Sequence, residues 1–271
     1  LAESPDAKGT YIRWFKMRAT DAPKVVSHRA DNRTGFEFYQ DVSVRKNGKD
    51  NAVVDCMFDD CQNEQGSAIA ALRAAADVGV GCDGSLSAVR CLFSNCSTTF
   101  GNDGYVAWNV GLYYCVFTRM TSSPSKSTSE AAAMVVGSTL VNCSFANIWA
   151  SRVLCKSKAY NTIFGHCTKH IGDKTGADGT AFLSSCCCSA KETDAYVQGG
   201  EDSDTLFGQD DYQFKDMLND DYRLVAGKPA VGRGAAAYLA LIPEAWRTKD
   251  FYGRTVDADG PINIGAAGSS N

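Results

Sequence analysis

The sequence predicts an all-β solenoid, and three observations carry that reading. A short apolar motif recurs along the chain: VDCMFDDC (Val54–Cys61), VRCLFSNC (Val89–Cys96), YYCVFTRM (Tyr113–Met120), VNCSFANI (Val141–Ile148) and YNTIFGHC (Tyr160–Cys167). Inside each copy the apolar residues alternate, which is the period of a strand with one buried face. The phenylalanines fall at 58, 93, 117, 145 and 164, at unequal intervals of 35, 24, 28 and 19 residues. A constant strand with connections of variable length is what a solenoid tolerates, because each turn need only restack its strands while insertions leave as loops.

Aligned on the phenylalanine, the copies define four columns. They read Val54, Val89, Tyr113, Val141, Tyr160; Cys56, Cys91, Cys115, Cys143, Thr162; Phe58, Phe93, Phe117, Phe145, Phe164; and Cys61, Cys96, Met120, Ile148, Cys167. A spacing of two predicts that the first three columns all face the interior. Stacked strands would set successive phenylalanines about 4.8 Å apart. Twelve cysteines would normally suggest disulfides. Here Cys56, Cys61, Cys91, Cys96, Cys115, Cys143, Cys167 and one of Cys186 to Cys188 share columns with Thr, Met and Ile, which favours small buried thiols. One or more disulfides is the alternative, with Cys82 and Cys155 outside the columns as the exceptions.

Taken in order, residues 1–50 hold two alternating stretches, YIRWFKM (Tyr11–Met17) and FEFYQDVSV (Phe36–Val44), which fit early turns lacking the cysteine signature. Terminal repeats are often atypical because they cap the stack. Between the first two copies, Ala68–Ala76 reads either as a short helix or, as AIAAL, as a second strand. The segments YVAWNV, AAAMVV and SRVLC ahead of later copies make a second strand per turn the general expectation. Ser122–Glu130 has no apolar side chain and reads as a loop. Ala181–Cys188 supplies one more turn, although three adjacent cysteines cannot all face inward. The rungs therefore span 1–200, and an acidic, glycine-rich tail over 201–271 lacks the core strand and reads as a cap packed on the solenoid.

At 271 residues and 44% hydrophobic content the chain can bury a sizeable core. Its net charge is -4, with Lys and Arg scattered, so the footprint of a nucleic-acid binder is missing. No apolar run reaches the roughly 18–20 residues needed to span a bilayer, and Leu1–Thr10 lacks the pattern of a signal peptide. A chain opening on Leu1 reads as a mature or trimmed piece of a parent protein.

The repeated xVxCxF strand followed by this tail resembles the right-handed parallel β-helix surface proteins of bacteria, whose turns carry NCxFxxN and end in DYRLxxGSPAIDxG, DxxGxxR and DIGA segments. The matching residues are Asp221, Tyr222, Arg223, Leu224, Gly227, Pro229, Ala230 and Gly234, then Asp250, Gly253 and Arg254, then Ile262, Ile264, Gly265 and Ala266. Lys228, Gly232 and Asn263 depart from the pattern, and the likeness covers about Asn51 to Ala267. It implies export, a place at a cell surface or outside the cell, and a rod whose outer faces suit linear polymers. The same fold hosts polysaccharide lyases, glycoside hydrolases and phage tailspikes, so fold alone does not decide function.

Several residues could carry chemistry. The outward position before the cysteine column reads Asp55, Arg90, Tyr114, Asn142, Asn161, a row offering a stacking face, hydrogen bonds and a cation to a glycan; an ordinary solvated face is the plain alternative. Gln209-Asp210-Asp211 and Gly165-His166 resemble pieces of the polygalacturonase signature, in the wrong order and without a third carboxylate motif. A lyase would need a Lys or Arg base and neutralisation of a uronate, for which one Arg and one Asp in five rungs is thin support. His166, Cys167 and His170 suggest a metal, but alternation puts His166 and Cys167 on opposite faces. Asp210, Asp211, Asp216, Asp220 and Asp221, or Asp257 and Asp259, would be the ligands of a Ca²⁺ ion, against solvated turns as the alternative. No other cofactor is expected, since phosphate-loop, nucleophile-elbow and zinc-finger patterns are missing from the sequence.

The expected protein is thus one right-handed parallel β-helix with a C-terminal cap, secreted or at a cell surface. Its expected role is to bind carbohydrate or a surface protein without catalysis, a lyase or hydrolase acting on an acidic polysaccharide being the alternative. One more expectation concerns the tail. Met57, Leu92, Val116, Ser144 and Ile163 project an apolar stripe outward, which monomers seldom leave bare. Tyr238–Trp246, as a short amphipathic helix, is the expected cover, with a homo-oligomer or a neighbouring domain in its place if the stripe is open.

Overall fold

The structure, a computed structural model, describes residues 11–13, 25–26, 36–39, 52–59, 62–72, 86–122, 133–150, 152–167, 171–172, 181–192, 198–199, 204–209 and 213–269. Cys61, Cys82, His170, Asp210, Asp211 and nearly all of the Ser122–Glu130 loop lie outside these residues.

The chain climbs in turns of up to three strands. The first turn holds β1 (Tyr11–Arg13), β2 (Val25–Val26) and β3 (Phe36–Tyr39), and the second β4 (Ala52–Val54), β5 (Met57–Asp59) and β6 (Gln62–Leu72). The third comprises β7 (Ser87–Val89), β8 (Leu92–Ser94) and β9 (Ser97–Trp108). Next come β10 (Gly111–Tyr113), β11 (Val116–Ser122) and β12 (Ala133–Val136), then β13 (Thr139–Val141), β14 (Ser144–Trp149) and β15 (Arg152–Cys155). Above them lie β16 (Ser157–Tyr160), β17 (Ile163–Cys167), β18 (Ala181–Ser184), β19 (Cys187–Cys188) and β20 (Gln198–Gly199).

Every pairing among these strands is parallel. The first face runs β1-β4-β7-β10-β13-β16-β18-β20, the second β2-β5-β8-β11-β14-β17-β19, and the third β3-β6-β9-β12-β15, with the long β6 and β9 joining the second and third faces. The molecule is a three-sided parallel β-helix. AIAAL belongs to the strand β6 rather than to a helix, and its β-partner is Ala107–Trp108 of the next turn.

Single residues in the left-handed region turn the chain at each corner. Between the first and second faces these are Asp55, Arg90, Tyr114, Asn142, Asn161 and Ser185, at φ between 46° and 54°. The second corner uses Asn95, Arg119, Asn147 and His166, and the third Asn109, Gly137 and Lys156. Asn and Asp enter this region readily, whereas a Cβ-bearing Tyr, Arg, Lys or His pays roughly 1–2 kcal/mol. The surrounding ladder supplies the compensation, as when Tyr114 N–H donates to Val141 O and Arg90 N–H to Tyr113 O.

A left-handed residue also resets which way the following side chain points. Cys56, Cys91, Cys115 and Cys143 face inward, as do all five phenylalanines, each at most 2% exposed. The rings stack face to face with centroids 4.8, 4.6, 4.5 and 5.0 Å apart, the spacing of adjacent strands. The Val/Tyr column does not join them. Val54, Val89, Tyr113, Val141 and Tyr160 lie outside, and the inward residues before the corner are Val53, Ala88, Leu112, Leu140 and Ala159. Simple alternation fails here because the corner residue between the two columns breaks the period of two. In the cysteine triplet, Cys186 and Cys188 join the interior while Cys187 faces the opposite way.

The tail seals the flank on either side of the first corner. A hairpin of β21 (Phe214–Asp216) and β22 (Asp221–Leu224), together with Ala230, Ile264 and Ala266, packs on Val116, Ala146, Ile163 and Cys187. Val116, Ser144 and Ile163 of the apolar stripe are fully buried, and Leu92 packs against the same cluster. The segment expected to cover them lies elsewhere. Tyr238–Trp246 forms two 3-10 turns, Ala236–Leu241 and Glu244–Trp246, interrupted at Pro243. Its Leu239 and Ile242 cover the outward Val54, Val89, Tyr113 and Val141 of the first face.

At Gly265 the backbone of the tail presses against the solenoid. At φ 117° this residue brings its backbone so near that a Cβ would lie 3.0 Å from Ile163 Cγ2 and from Ser144 Oγ, so only glycine fits.

Candidate functional site

The first-corner row reads as a polymer site in sequence, yet most of it meets the tail. Tyr114 is buried and its hydroxyl donates to Arg247 O at 3.2 Å. Burial holds its phenol pKa well above the ordinary range. Asn142 Nδ2 donates to Asn263 O at 3.0 Å and to Gly265 O at 3.3 Å. Asn161 Nδ2 donates to Ala235 O at 2.9 Å, while its Oδ1 accepts from Ala235 N–H at 2.8 Å. These three side chains bind the chain's own backbone and are closed to an external glycan, a correction to the expected row. Asp55 and Arg90 keep part of their surface, closed on each other by bonds of 2.6 and 2.9 Å.

The second corner meets solvent at Asn95 and Trp149. Trp149 is 59% exposed, two residues past the corner residue Asn147. In register with it on the preceding turns stand Thr121 and then Ser97, both pointing outward. The indole is held rather than loose: Nε1 donates to Asn147 Oδ1 at 2.8 Å, and His166, the corner residue of the next turn, meets the ring edge-on at 5.9 Å. Toward the lower turns the corner continues as a polar relay. Arg119 donates through Nε to Asn95 Oδ1 at 3.1 Å, through Nη2 to Ser94 Oγ at 2.9 Å and through Nη1 to Asp220 Oδ1 of the tail at 2.6 Å. Asn95 Nδ2 in turn donates to Asp59 Oδ1 at 2.7 Å. Burial opposes the charge of Arg119, but the bond to Asp220 and the electrostatic effects of Tyr222, Asp220 and Asp59 together outweigh it and raise the guanidinium pKa.

Sequence reasoning missed this ladder. Its signal is an aromatic residue two places after an asparagine at the end of a copy, Asn147-Ile148-Trp149, which an inward-looking column alignment passes over as a strand terminus.

The other candidates do not converge. His166 sits outside beside Trp149, while Cys167 joins the interior and donates to Gly165 O, so the two do not share a metal. Among the tail acids, Asp216 caps Asn219, Asp220 receives Arg119 and Tyr222, and Asp221 receives Arg223. Asp257 accepts from Asp259 N–H in a turn, and Asp250 takes the backbone N–H groups of Tyr252, Arg254 and Gly268. Among the described residues no group of His, Cys, Asp or Glu is arranged to hold a metal ion. No helix among them is long and apolar enough to cross a membrane.

No protein-family model matches the chain, and no curated protein is significantly similar to it. What the coordinates define is a parallel β-helix whose first corner is sealed by its own tail and whose second corner presents a fixed tryptophan among polar side chains.

Proposed function

We propose that this protein is a non-catalytic glycan-binding module of an exported or cell-surface rod, and that the second corner is its binding edge. The observation that carries the reading is Trp149, a large apolar ring left open to solvent and yet immobilised by Asn147 and His166. A tryptophan offers a broad apolar face with a polar N–H at its edge, the combination that favours aromatic side chains at binding surfaces. Holding its rotamer in advance lowers the entropy cost of binding. A pyranose can lay its C–H face on the indole while its hydroxyls reach Thr121 and the free valences of Asn147, groups spaced by one turn of about 4.8 Å. The buried thiols, out of reach of oxidants, are compatible with life outside the cell.

The test is binding of the purified chain to a broad glycan panel, repeated with Trp149→Ala. Truncation of a surface ring should leave the thermal midpoint nearly unchanged and weaken glycan binding at least tenfold. Wild-type binding by the variant would remove Trp149, and the second corner with it, from the reading.

A further inference from the structure

Resting on the glycan reading of the second corner, we propose that its ligand is an uncharged oligosaccharide, and that the tail enforces this choice through Asp220. Arg119 is the strong cation of this corner and would be the natural partner for a uronate or sulfate. Its fork is already occupied: Nε, Nη1 and Nη2 are committed to Asn95, Asp220 and Ser94. A carboxylate prized by arginine is met through two parallel N–H donors, and each nitrogen that could supply them already holds a partner.

Asp220 is not a casual partner. It sits at φ 60°, its Oδ1 also accepts from Tyr222 O–H at 2.6 Å, and its carbonyl accepts from Tyr252 O–H at 3.1 Å. The carboxylate is therefore pinned where it cancels the arginine. An acidic group brought to Arg119 would meet the Asp220 carboxylate together with the guanidinium. Among the described residues, those beside the indole are Thr121, Asn147 and His166. Rejection of a charged competitor by a fixed like charge is a recognised source of specificity.

Isothermal titration of the wild-type chain decides the matter, with cellohexaose, xylohexaose and mannohexaose as neutral probes and hexagalacturonate, a hyaluronan hexamer and an alginate hexamer as acidic ones. Measured at neutral pH in low salt and in about 0.5 M salt, at which surface charges are screened, a neutral probe should bind at least tenfold tighter than any acidic one, with little change between the two salts. An acidic probe that binds as tightly as the best neutral one, and is released by salt, overturns the inference while leaving the glycan reading intact. Binding of none of the six, together with none on the broader panel, sinks the glycan reading itself. Asp220→Asn supplies the second arm. Freed from its counter-charge, Arg119 should raise acidic-probe affinity at least threefold in low salt and leave neutral binding alone; unchanged acidic binding in a folded variant removes Asp220 from the account. Should that variant fail to fold, the wild-type comparison across the two salts still decides.

Discussion

The residue following each first-corner position is Cys56, Cys91, Cys115, Cys143, Thr162 and Cys186 in successive turns. Each is small enough for the crowded inner side of the bend, and each donates to the carbonyl two residues earlier. Cys91 Sγ reaches Val89 O at 3.4 Å, Cys186 Sγ reaches Ser184 O at 3.4 Å, and Thr162 Oγ1 reaches Tyr160 O at 3.0 Å. Several also donate to the turn below, as Cys115 does to Ala88 O at 3.2 Å. The column is thus more than a row of small hydrophobes, because it supplies a weak second donor to carbonyls that already accept a backbone N–H across the bend. Ser138 and Ser157 repeat the device at the third corner, with bonds to Val136 O and Cys155 O. Cys91, Cys115, Cys143, Cys186, Cys187 and Cys188 are free thiols. Burial pushes the Cys186 and Cys187 thiols from an ordinary 9.0 up to about 12. A pKa raised by folding stabilises the folded state fully below the unfolded value and loses that contribution as pH climbs to the folded one. The thermal midpoint should therefore hold steady up to about pH 9 and fall between there and about 12, with the buried phenols of Tyr114 and Tyr222 acting in the same direction. A melting series across that range checks it, and replacing Cys186 and Cys187 by Ala should make the fall shallower.

Among the elements, the contact of tail with solenoid is where side chains far apart in sequence are matched most closely. Asn161 acts as a two-way clamp on Ala235, and Gly265 N–H adds a bond to the Asn161 carbonyl at 2.8 Å. Ala266 N–H donates to Ser144 Oγ at 2.9 Å beside it. Replacing Asn161 by Ala would remove the Asn161 bond from each polar group of Ala235, leaving its carbonyl with only Tyr238 N–H at 3.3 Å, and put a poorer residue into the left-handed region. The expected cost is about 2–4 kcal/mol, from two lost amide bonds and the corner strain. Limited proteolysis of Asn161→Ala should cut the tail ahead of the rungs, and chemical denaturation should give the loss of stability. Equal resistance of variant and wild type would show that the clamp contributes little.

On the scale of the whole molecule, the apolar flank under the tail explains why the chain needs one. Val116, Ile163, Tyr113 and Val141 project from consecutive turns and pack against tail residues such as Tyr222, Leu224, Leu239 and Ile264. Because the tail covers this stripe, no second copy of the chain is required to hide it. A chain ending at Gln209 should expose a contiguous stripe, bind a hydrophobic dye and self-associate, as large exposed apolar patches do. Size-exclusion chromatography beside dye fluorescence measures both effects. A truncated chain that stays monomeric and dark would mean that the rungs close their own flank.

The stacked phenylalanines, the inward cysteines, the early turns and the existence of a packed tail were legible from residues alone. They depend on periodicity within one strand and on the repetition of that strand, both of which are local properties. Two things were not legible. The outward direction of the Val/Tyr column was not legible because only Asp55, Asn142 and Asn161 in the corner row are residue types that enter the left-handed region readily, and Arg90, Tyr114 and Ser185 at the equivalent positions obscure the sign. The burial of the first-corner row was likewise not legible. In the first row, the polar character of Tyr114, Asn142 and Asn161 is genuine, but whether it serves a glycan or the tail depends on where residues 213–269 dock, more than fifty positions away. The sequence by itself determined the strand, its repeat and its buried ring stack, because those follow from alternation between neighbours; only the tertiary structure decided which corner faces water, because that is set by packing between segments whose proximity no local pattern records.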